Sequence, residues 1–444
     1  MTRSRRVIFV CCDGLGREWV TPESTPTLHR LAQENVWCGE HRAVFPSVTR
    51  VSAASIATGC EARRHGLHGN RMGLLEEGKI HVRDVGNPDF RAHMRRATGG
   101  TLHVSTIAER VAGRGGFIAF SNVSPGAAYF LDPEHFGHVY HRAGSFAPGG
   151  APITGDAALN VSHDLAGDWA MTRRFCSEVL IDRAPSVAVL WLANPDLTLH
   201  GAQLGSPAHL EALRQTERCV SQVADTVRRL RTQGEDILLL IGSDHGQETM
   251  GDSIDLEAWL ASQGLGEALD SGEIAVAGQG TAALLYATER GRVPLLGVLE
   301  SLSGQPWVDE VIAAGRLPER GLAEASGLVA AVNMADRERE NMYGVRGDRW
   351  VVAEPGKVAV AGHGNHGGWG HGETRPFLII NHDKLAASIM RGETSLVDLA
   401  PTMLHFLGLP SAGMDGQALI DTASMEMRAI QARDPLPKHA PSKF

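Results

Sequence analysis

Short apolar runs recur along the chain, and helix-like segments separate them. The runs cover residues 7–12, 117–121, 187–193, 237–242 and 377–381, and each has the length of a buried strand. The stretch Thr25-Pro-Thr-Leu-His-Arg-Leu-Ala predicts a helix, because proline follows a capping threonine and the leucines share one face. Residues 207–233 predict a long amphipathic helix that leads into the run 237–242. This alternation predicts an α/β fold with a doubly wound, mostly parallel sheet and helices on both faces.

Residues from about 250 to 360 interrupt the alternation. They contain short apolar runs, such as Thr281-Ala-Ala-Leu-Leu-Tyr and Trp350-Val-Val-Ala-Glu, separated by Gly, Pro and charged residues. We therefore expect residues 1–250 and 361–425 to form a catalytic core, and residues 251–360 to form an inserted α+β cap or lid. Residues 426–444 are polar and contain prolines, which predicts a loosely attached tail.

Charge and composition narrow the classes of partner. The net charge of −9 over 444 residues argues against nucleic acid or an anionic membrane as a main partner. No apolar run approaches the roughly 18 residues of a membrane-spanning helix. The apolar stretch near the start ends at Asp13 without a small-residue cleavage pattern, so a first strand is favoured over a signal peptide. Six cysteines without CxxC spacing predict reduced thiols and a cytoplasmic location. The oligomeric state stays open.

Acidic and imidazole side chains follow three of the predicted strands and precede a fourth. They are Asp13, Asp196 with His200, Asp244 with His245, and the histidines at 363, 366 and 371. Such groups suit Zn²⁺ or similar ions, and chemistry in open α/β sheets lies outside the carboxyl ends of the strands. Each piece alone has an ordinary explanation as a helix cap, a hydrogen-bonded pair, a turn or a glycine-rich loop. Their coincidence at four strand ends favours a metal site, and two ions about 3.5–4 Å apart are the arrangement used for phosphoryl transfer.

A second segment predicts a nucleophile. Small residues from Val51 to Thr58 predict a tightly packed helix that stops at Gly59, with Thr49 at its N-terminus. The free N–H groups of a helix N-terminus favour phosphate, and a metal can activate a threonine hydroxyl. The alternative is that Thr49, Ser47 or Ser52 merely caps the helix. Arg50 either contacts substrate or is simply exposed, and exposure is the default expectation.

Taken together, these motifs resemble the alkaline phosphatase superfamily, in particular its nucleotide pyrophosphatase/phosphodiesterase and phosphonoacetate hydrolase branch. The resemblance spans about residues 7–420 without the cap. It is carried by Val10-Cys-Cys-Asp-Gly, Phe45-Pro-Ser-Val-Thr, Ile56-Ala-Thr-Gly, His65-Gly-Leu-His-Gly-Asn70, Pro195-Asp-Leu-Thr-Leu-His, Ser243-Asp-His-Gly, His366-Gly-Gly and Asp398-Leu-Ala-Pro-Thr-Met-Leu.

The resemblance implies two zinc ions, with Mn²⁺ or another divalent ion as the alternative. One site would consist of Asp196, His200 and His366, and the other of Asp13, Thr49, Asp244 and His245. Thr49 would be the nucleophile, and Asn70 would donate its amide to a phosphoryl oxygen. His366 is favoured over His371 and His363 because it opens His-Gly-Gly ten residues before Pro376. His65 and His68 are expected in a loop or in supporting positions.

The implied activity is hydrolysis of phosphodiester or nucleotide pyrophosphate bonds of a small molecule, through a phosphothreonine intermediate. A phosphonate hydrolase that cleaves C–P bonds is the alternative. Relatives that hydrolyse phosphonoacetate carry basic residues after the strand corresponding to 117–121, whereas residues 116–130 here contain no Lys or Arg. A cofactor-independent mutase would need substrate-binding arginines that the sequence does not reveal. From a different class, a catalytically silent metal-binding or scaffold protein is the remaining alternative.

Overall fold

The computed structural model of the chain describes residues 5–354, 356, 359–421 and 426–427. The predicted loose tail, residues 426–444, lies outside the described residues except for the short strand Glu426–Met427.

A ten-stranded sheet forms the centre of the molecule. Across the sheet, the strands stand in the order Ser388–Ser395, Val36–Arg42, Leu378–Asn381, Asp236–Gly242, Arg5–Cys12, Val187–Leu192, Phe117–Ser121, His138–His141, Ser145–Phe146 and Pro152–Ile153. The five middle strands from Asp236–Gly242 to His138–His141 are parallel to their neighbours in this group. The predicted doubly wound, mostly parallel sheet is confirmed.

Apart from the short strand Ser145–Phe146 near one edge, one strand runs against the others. Leu378–Asn381 is antiparallel to Asp236–Gly242 on one side and to Val36–Arg42 on the other. An antiparallel strand begins at the edge where its parallel neighbours end. The segment that precedes it, which contains His366, is therefore delivered to the same edge as Asp13, Asp196 and Asp244.

Both faces of the sheet are covered, as alternation along the first strand shows. Phe9 and Cys11 face the core that holds Val51 and Ile56 of the helix Thr49–Thr58. Val10 and Cys12 face the other core, which contains the inner face of the helix Pro207–Thr232. Strands buried on both faces are typical of parallel sheets. All six cysteines are buried and free.

Residues 274–334 contain a second sheet of four antiparallel strands, in the order Ile274–Gly278, Ala282–Ala287, Leu328–Met334 and Val308–Ala313. One face, with Leu284 and Tyr286, belongs to the same core as the helix Thr49–Thr58. The opposite face, with Leu285, packs against the helix Glu289–Ser303. The division into a core and an inserted cap at residues 251–360 stays a prediction.

The remaining elements connect these sheets. The other helices are Pro26–Glu34, Ala62–His65, Phe90–Thr98, Ile107–Val111, Pro125–Phe130, Leu165–Arg174, Phe175–Arg183, Asp196–Leu199, Leu256–Leu260, Ala261–Leu265, Gly266–Asp270 and Leu399–Phe406. Short 3-10 helices cover Arg17–Trp19, Pro148–Gly150, Gly155–Ala157, Ala314–Arg320 and Leu396–Asp398. The strands Arg71–Glu76 and Lys79–Asp84 form a hairpin, and Glu248–Ile254 pairs with Arg349–Val352 and Gly364–Asn365. Ile420–Asp421 pairs with Glu426–Met427.

Candidate functional site

All seven metal-ligand candidates of the sequence meet at the carboxyl edge of the central sheet. They are Asp13, Thr49, Asp196, His200, Asp244, His245 and His366. Six have side chains that are buried or nearly so, whereas the His200 side chain is 46% exposed. The site is therefore enclosed on the Thr49 side and reaches solvent beside His200.

The first group of ligand candidates is centred on His245. Its Nε2 atom lies 3.4 Å from Asp13 Oδ1 and 3.2 Å from Asp244 Oδ2. The hydroxyl oxygen of Thr49 lies 3.3 Å from the same nitrogen. A hydroxyl, two carboxylates and an imidazole thus converge on one point.

The second group is centred on Asp196. One carboxylate oxygen, Oδ2, lies 3.3 Å from His200 Nε2, and the other, Oδ1, lies 3.3 Å from His366 Nε2. Of the two rivals to His366, His371 is exposed beside Arg375, and His363 contacts the backbone oxygen of His200 at 3.2 Å. The structure thus places His366 at this carboxylate.

In two of these histidines, the Nδ1 atom lies at hydrogen-bond distance from a backbone carbonyl oxygen. His245 Nδ1 lies 2.9 Å from the carbonyl oxygen of Gly246, and His366 Nδ1 lies 2.7 Å from the carbonyl oxygen of Ser47. A carbonyl oxygen only accepts hydrogen bonds, so both Nδ1 atoms must carry the proton. When these rings are neutral, the lone pair of each Nε2 faces a carboxylate oxygen. Two hydrogen-bond acceptors then face each other with no proton between them.

A divalent cation resolves this opposition. Ligand atoms about 2.0–2.1 Å from a tetrahedral zinc ion lie about 3.3–3.4 Å from one another, which matches the separations of 3.2–3.4 Å around His245 and Asp196. Asp13 Oδ1 and Asp244 Oδ2 are buried and have no hydrogen-bond partner. The two groups adjoin where the rings of His245 and His366 stack, with centroids 3.7 Å apart. The donor set therefore fits two neighbouring divalent ions.

The electrostatics of the two ligand groups differ. Burial raises the pKa of Asp244 to about 7, and burial together with the charge of Asp244 raises the pKa of Asp13. Burial opposes ionisation of Asp196 as well, but the facing imidazoles of His200 and His366 outweigh it and lower the pKa of that carboxyl. Burial also opposes the charge of His366, but Asp196 outweighs it and raises the pKa of that imidazole, so a bound cation would take the place of the His366 proton. Burial lowers the pKa of the His245 imidazole to about 3. Without a cation, the carboxylates at His245 are held together at a cost that a bound ion removes.

Three supporting contacts were not anticipated from the sequence. The indole N–H of Trp191 donates to Asp13 Oδ2 at 3.0 Å, and the side-chain amide of Gln247 donates to Asp196 Oδ1 at 2.5 Å. The backbone N–H of Gly14 donates to Asp244 Oδ1 at 3.2 Å. Trp191 and Gly14 each hold one oxygen of a carboxylate so that the other oxygen faces His245, whereas Gln247 donates to the Asp196 oxygen that also faces His366. The only sequence signal was the position of Gln247, two residues beyond His245.

Thr49 is the first residue of its helix, as predicted. The helix is built from small, buried side chains, which allow it to approach the sheet closely, and it ends at Gly59 in the left-handed conformation with φ 67°. Asn70 lies beside this N-terminus, because its Oδ1 accepts a hydrogen bond of 3.3 Å from the backbone N–H of Arg50. Its side-chain amide nitrogen therefore remains available to donate.

The expectation that Arg50 is exposed was wrong. Its side chain is only 13% exposed and donates to Asp84 Oδ1 and to the backbone oxygen of Asn70, both at 2.6 Å. Its Nε donates to Ser124 Oγ at 3.3 Å. Arg50 thus ties the start of the helix to the loop that carries Asn70.

His65 and His68 are buried away from the carboxylates described above. His65 Nε2 lies 3.0 Å from Ser55 Oγ, and His68 Nδ1 lies 3.4 Å from the hydroxyl oxygen of Tyr286. Both therefore support the packing around the helix of Thr49.

Comparison with known proteins decides the family. The model of the type I phosphodiesterase / nucleotide pyrophosphatase family matches residues 7–369. The chain belongs to this family. As a type I phosphodiesterase / nucleotide pyrophosphatase, it is a hydrolase, and the resemblance to the alkaline phosphatase superfamily is confirmed.

Solved structures show the same fold as this phosphodiesterase family member. Murine ectonucleotide pyrophosphatase / phosphodiesterase 5 superimposes with a TM-score of 0.65 at 16% identity, over 93% of this chain and 97% of the murine chain. An inactive threonine-to-alanine variant of that protein, in complex with AMP, gives a TM-score of 0.66 with the same identity and coverage. A search of the curated proteins found no match to the chain.

In the part of the chain that the structure describes, no helix has both the length and the apolar composition needed to cross a membrane. The cytoplasmic location stays a prediction.

Proposed function

We propose that the chain hydrolyses phosphodiester or nucleotide pyrophosphate bonds with two metal ions and with Thr49 as the nucleophile. The observation that carries this proposal is the opposition of acceptor atoms at 3.2–3.4 Å around His245, where two buried carboxylate oxygens without a hydrogen-bond partner lie beside the Thr49 hydroxyl. Two adjacent cations and a hydroxyl at a helix N-terminus are the components that in-line phosphoryl transfer requires.

The ligands divide into two sets in this proposal. Asp13, Thr49, Asp244 and His245 would hold one ion, and Asp196, His200 and His366 the other. Zinc is the ion that the separations fit, and Mn²⁺ is the alternative. When bound, the ions would supply positive charge that lowers the pKa of the Thr49 hydroxyl and stabilises the leaving oxygen.

The chain's own groups perform the remaining steps. Thr49 Oγ1, having lost its proton to solvent, forms a bond to phosphorus in line with the leaving oxygen, which departs with the electron pair of its broken bond, and a phosphothreonine results. Water then attacks phosphorus and loses a proton to solvent, the bond from phosphorus to Thr49 Oγ1 breaks, and Thr49 recovers a proton. The free N–H groups of the helix Thr49–Thr58 and the Asn70 amide donate to the equatorial oxygens, where negative charge is concentrated.

The substrate class follows from the family and from one neighbour. The murine structure with AMP supports a nucleotide or another small phosphodiester as the substrate. A C–P bond hydrolase would use the same ligands, so phosphonoacetate must be tested beside the diesters.

The test compares Thr49→Ala with the wild type on bis-p-nitrophenyl phosphate, after loading with Zn²⁺. We expect turnover to fall by several orders of magnitude while metal content, measured by elemental analysis, stays near two ions per chain. Thr58→Ala is the matched control, since Thr58 lies in the same helix and its hydroxyl bonds only to the backbone, at 2.6 Å from Ala54 O.

Four results would contradict the proposal. Near-normal turnover of Thr49→Ala would exclude Thr49 as nucleophile. An active wild-type preparation with far fewer than two ions per chain would exclude the two-metal site. A zinc-loaded wild type that cleaves phosphonoacetate but no diester, pyrophosphate or nucleotide would favour the phosphonate hydrolase, and inactivity on the whole panel would favour the silent metal-binding protein.

A further inference from the structure

A buried carboxylate that belongs to neither ligand group lies behind His366. Glu373 has no exposed surface, and both of its oxygens accept hydrogen bonds. Oε2 accepts from Thr281 Oγ1 at 2.5 Å and from the backbone N–H of Gly368 at 2.9 Å, and Oε1 accepts from the backbone N–H of Gly370 at 2.8 Å. A single side chain therefore fixes the loop that follows His366.

The same carboxylate reaches the segment before the nucleophile. Ser47 Oγ lies 3.4 Å from Glu373 Oε2, donates to the backbone oxygen of Gly368 at 2.8 Å and accepts from the backbone N–H of Gly367 at 3.0 Å. The carbonyl oxygen of Ser47 in turn accepts the Nδ1 proton of His366 at 2.7 Å. The orientation and the tautomer of His366 thus depend on where Ser47 is held.

The third element in this network is the four-stranded sheet. Thr281 stands at the turn between the strands Ile274–Gly278 and Ala282–Ala287. Its hydroxyl donates to Glu373 and accepts from the N–H of Gly368 at 2.8 Å. In the same turn, Gln279 Oε1 accepts the backbone N–H of Asn70 at 2.7 Å. Residues of this turn therefore bond both to Glu373, which holds the loop after His366, and to the backbone of Asn70.

We propose that Glu373, bonded to Thr281, is a positioning residue that aims the Nε2 lone pair of His366 at the metal bound by Asp196 and His200. The inference rests on the proposed function. Partners that orient a metal-binding histidine typically change metal affinity about 10–100-fold when they are removed. The four-stranded sheet then acts as a fixed support of the site, not as a lid, because its turn carries Thr281.

The experiment measures zinc binding by calorimetric titration of the apo-protein, together with its thermal unfolding before zinc is added. Glu373→Gln keeps the shape but replaces an acceptor with a donor that faces backbone N–H groups. We expect one binding step to weaken about 10–100-fold and the other to change less than about threefold. The weakened step should be the one that His200→Ala abolishes, and Glu373→Gln should add nothing to His200→Ala.

Glu248→Gln is the matched control. Glu248 is also buried, and it accepts a hydrogen bond of 2.8 Å from Gly372 in the same loop, but its contacts include neither Ser47 nor Thr281. It should lower the unfolding temperature without weakening one zinc step selectively. Thr281→Val should reproduce the effect of Glu373→Gln, and Thr281→Ser should restore both steps, which keeps the test valid if Glu373→Gln does not fold.

The outcomes distinguish a failure of the proposed function from a failure of the positioning role of Glu373. A wild type that takes up neither zinc nor Mn²⁺ refutes the proposed function. A wild type that takes up two ions, with Glu373→Gln and Thr281→Val binding both as tightly, refutes the positioning role alone. Equal weakening of both steps, in proportion to the loss of thermal stability, also refutes it, because that result describes a merely structural residue.

Discussion

Replacing Gly367 with alanine should displace His366. Gly367 is buried and has a φ of 131°, a conformation that side chains other than glycine rarely adopt. A Cβ atom built on it would lie 1.6 Å from the backbone oxygen of Gln279. That oxygen belongs to the turn between two strands and cannot swing aside as a flexible side chain would.

The magnitude follows from the contacts that must break. Relief of the overlap requires the loop to move by more than an ångström. The hydrogen bonds between Gly367 and Ser47, of 3.0 and 3.3 Å, would then be lost at about 1 kcal/mol each. Backbone strain adds about 1–3 kcal/mol. The free energy of unfolding should therefore fall by about 3–5 kcal/mol, and an ångström of movement takes His366 Nε2 out of the range of a zinc bond.

Denaturant unfolding of the metal-free protein and calorimetric zinc titration measure the two effects. Gly113→Ala is the control, because Gly113 is exposed and no atom lies within 4 Å of an added Cβ. It should change the free energy of unfolding by less than about 0.5 kcal/mol. If Gly367→Ala unfolds and binds zinc as the wild type does, the close packing of the two loops is wrong, and with it the placement of His366.

Three further predictions concern the same molecule. Trp191→Phe removes the donor to Asp13 and should lower the zinc affinity of the Thr49 site about tenfold. Competition with a chromophoric chelator measures this affinity, and an unchanged value would show that Asp13 needs no orienting partner. Burial lowers the pKa of His65 to about 3 and of His68 to about 4, so each contributes stability that is present above pH 6.5 and lost toward pH 3–4. At pH 5 each histidine should lower the free energy of unfolding by about 2 kcal/mol relative to neutral pH. In urea unfolding, His65→Gln should therefore lose less stability between neutral pH and pH 5 than the wild type does. An equal loss would show that His65 is not the origin of the acid sensitivity. Removal of zinc by a chelator should lower the melting temperature by several degrees, and an unchanged melting temperature with demonstrably removed zinc would argue against a ligand set this buried.

Local pattern was enough to predict the central strands and the ligands at their ends. The strand Asp236–Gly242 contains the apolar run 237–241, and the residues that follow it, Asp244 and His245, have to lie at the carboxyl edge of the sheet. The long helix Pro207–Thr232 was predicted to within a residue, because its apolar face repeats regularly over 26 residues. Signals of this kind depend only on neighbours in the chain.

What the sequence did not reveal depends on partners far away in the chain. The strands Val36–Arg42 and Ser388–Ser395 contain mixed polar residues and no apolar run, since they lie at and next to the edge of the sheet. Trp191 and Arg50 look like an ordinary core residue and an ordinary surface residue until Asp13 and Asp84 are placed beside them. The spacing of apolar residues along the chain does not predict contacts between side chains that are far apart in sequence.

The position of Leu378–Asn381 between Asp236–Gly242 and Val36–Arg42 has a consequence for biosynthesis. Both sheet neighbours of Val36–Arg42 come from residues beyond 377, so this strand has no edge to pair with until residues 378–395 have been synthesised. The segment that leads to Thr49 follows that strand directly. A nascent chain that stops before these residues therefore lacks both sheet partners of the strand that leads to Thr49.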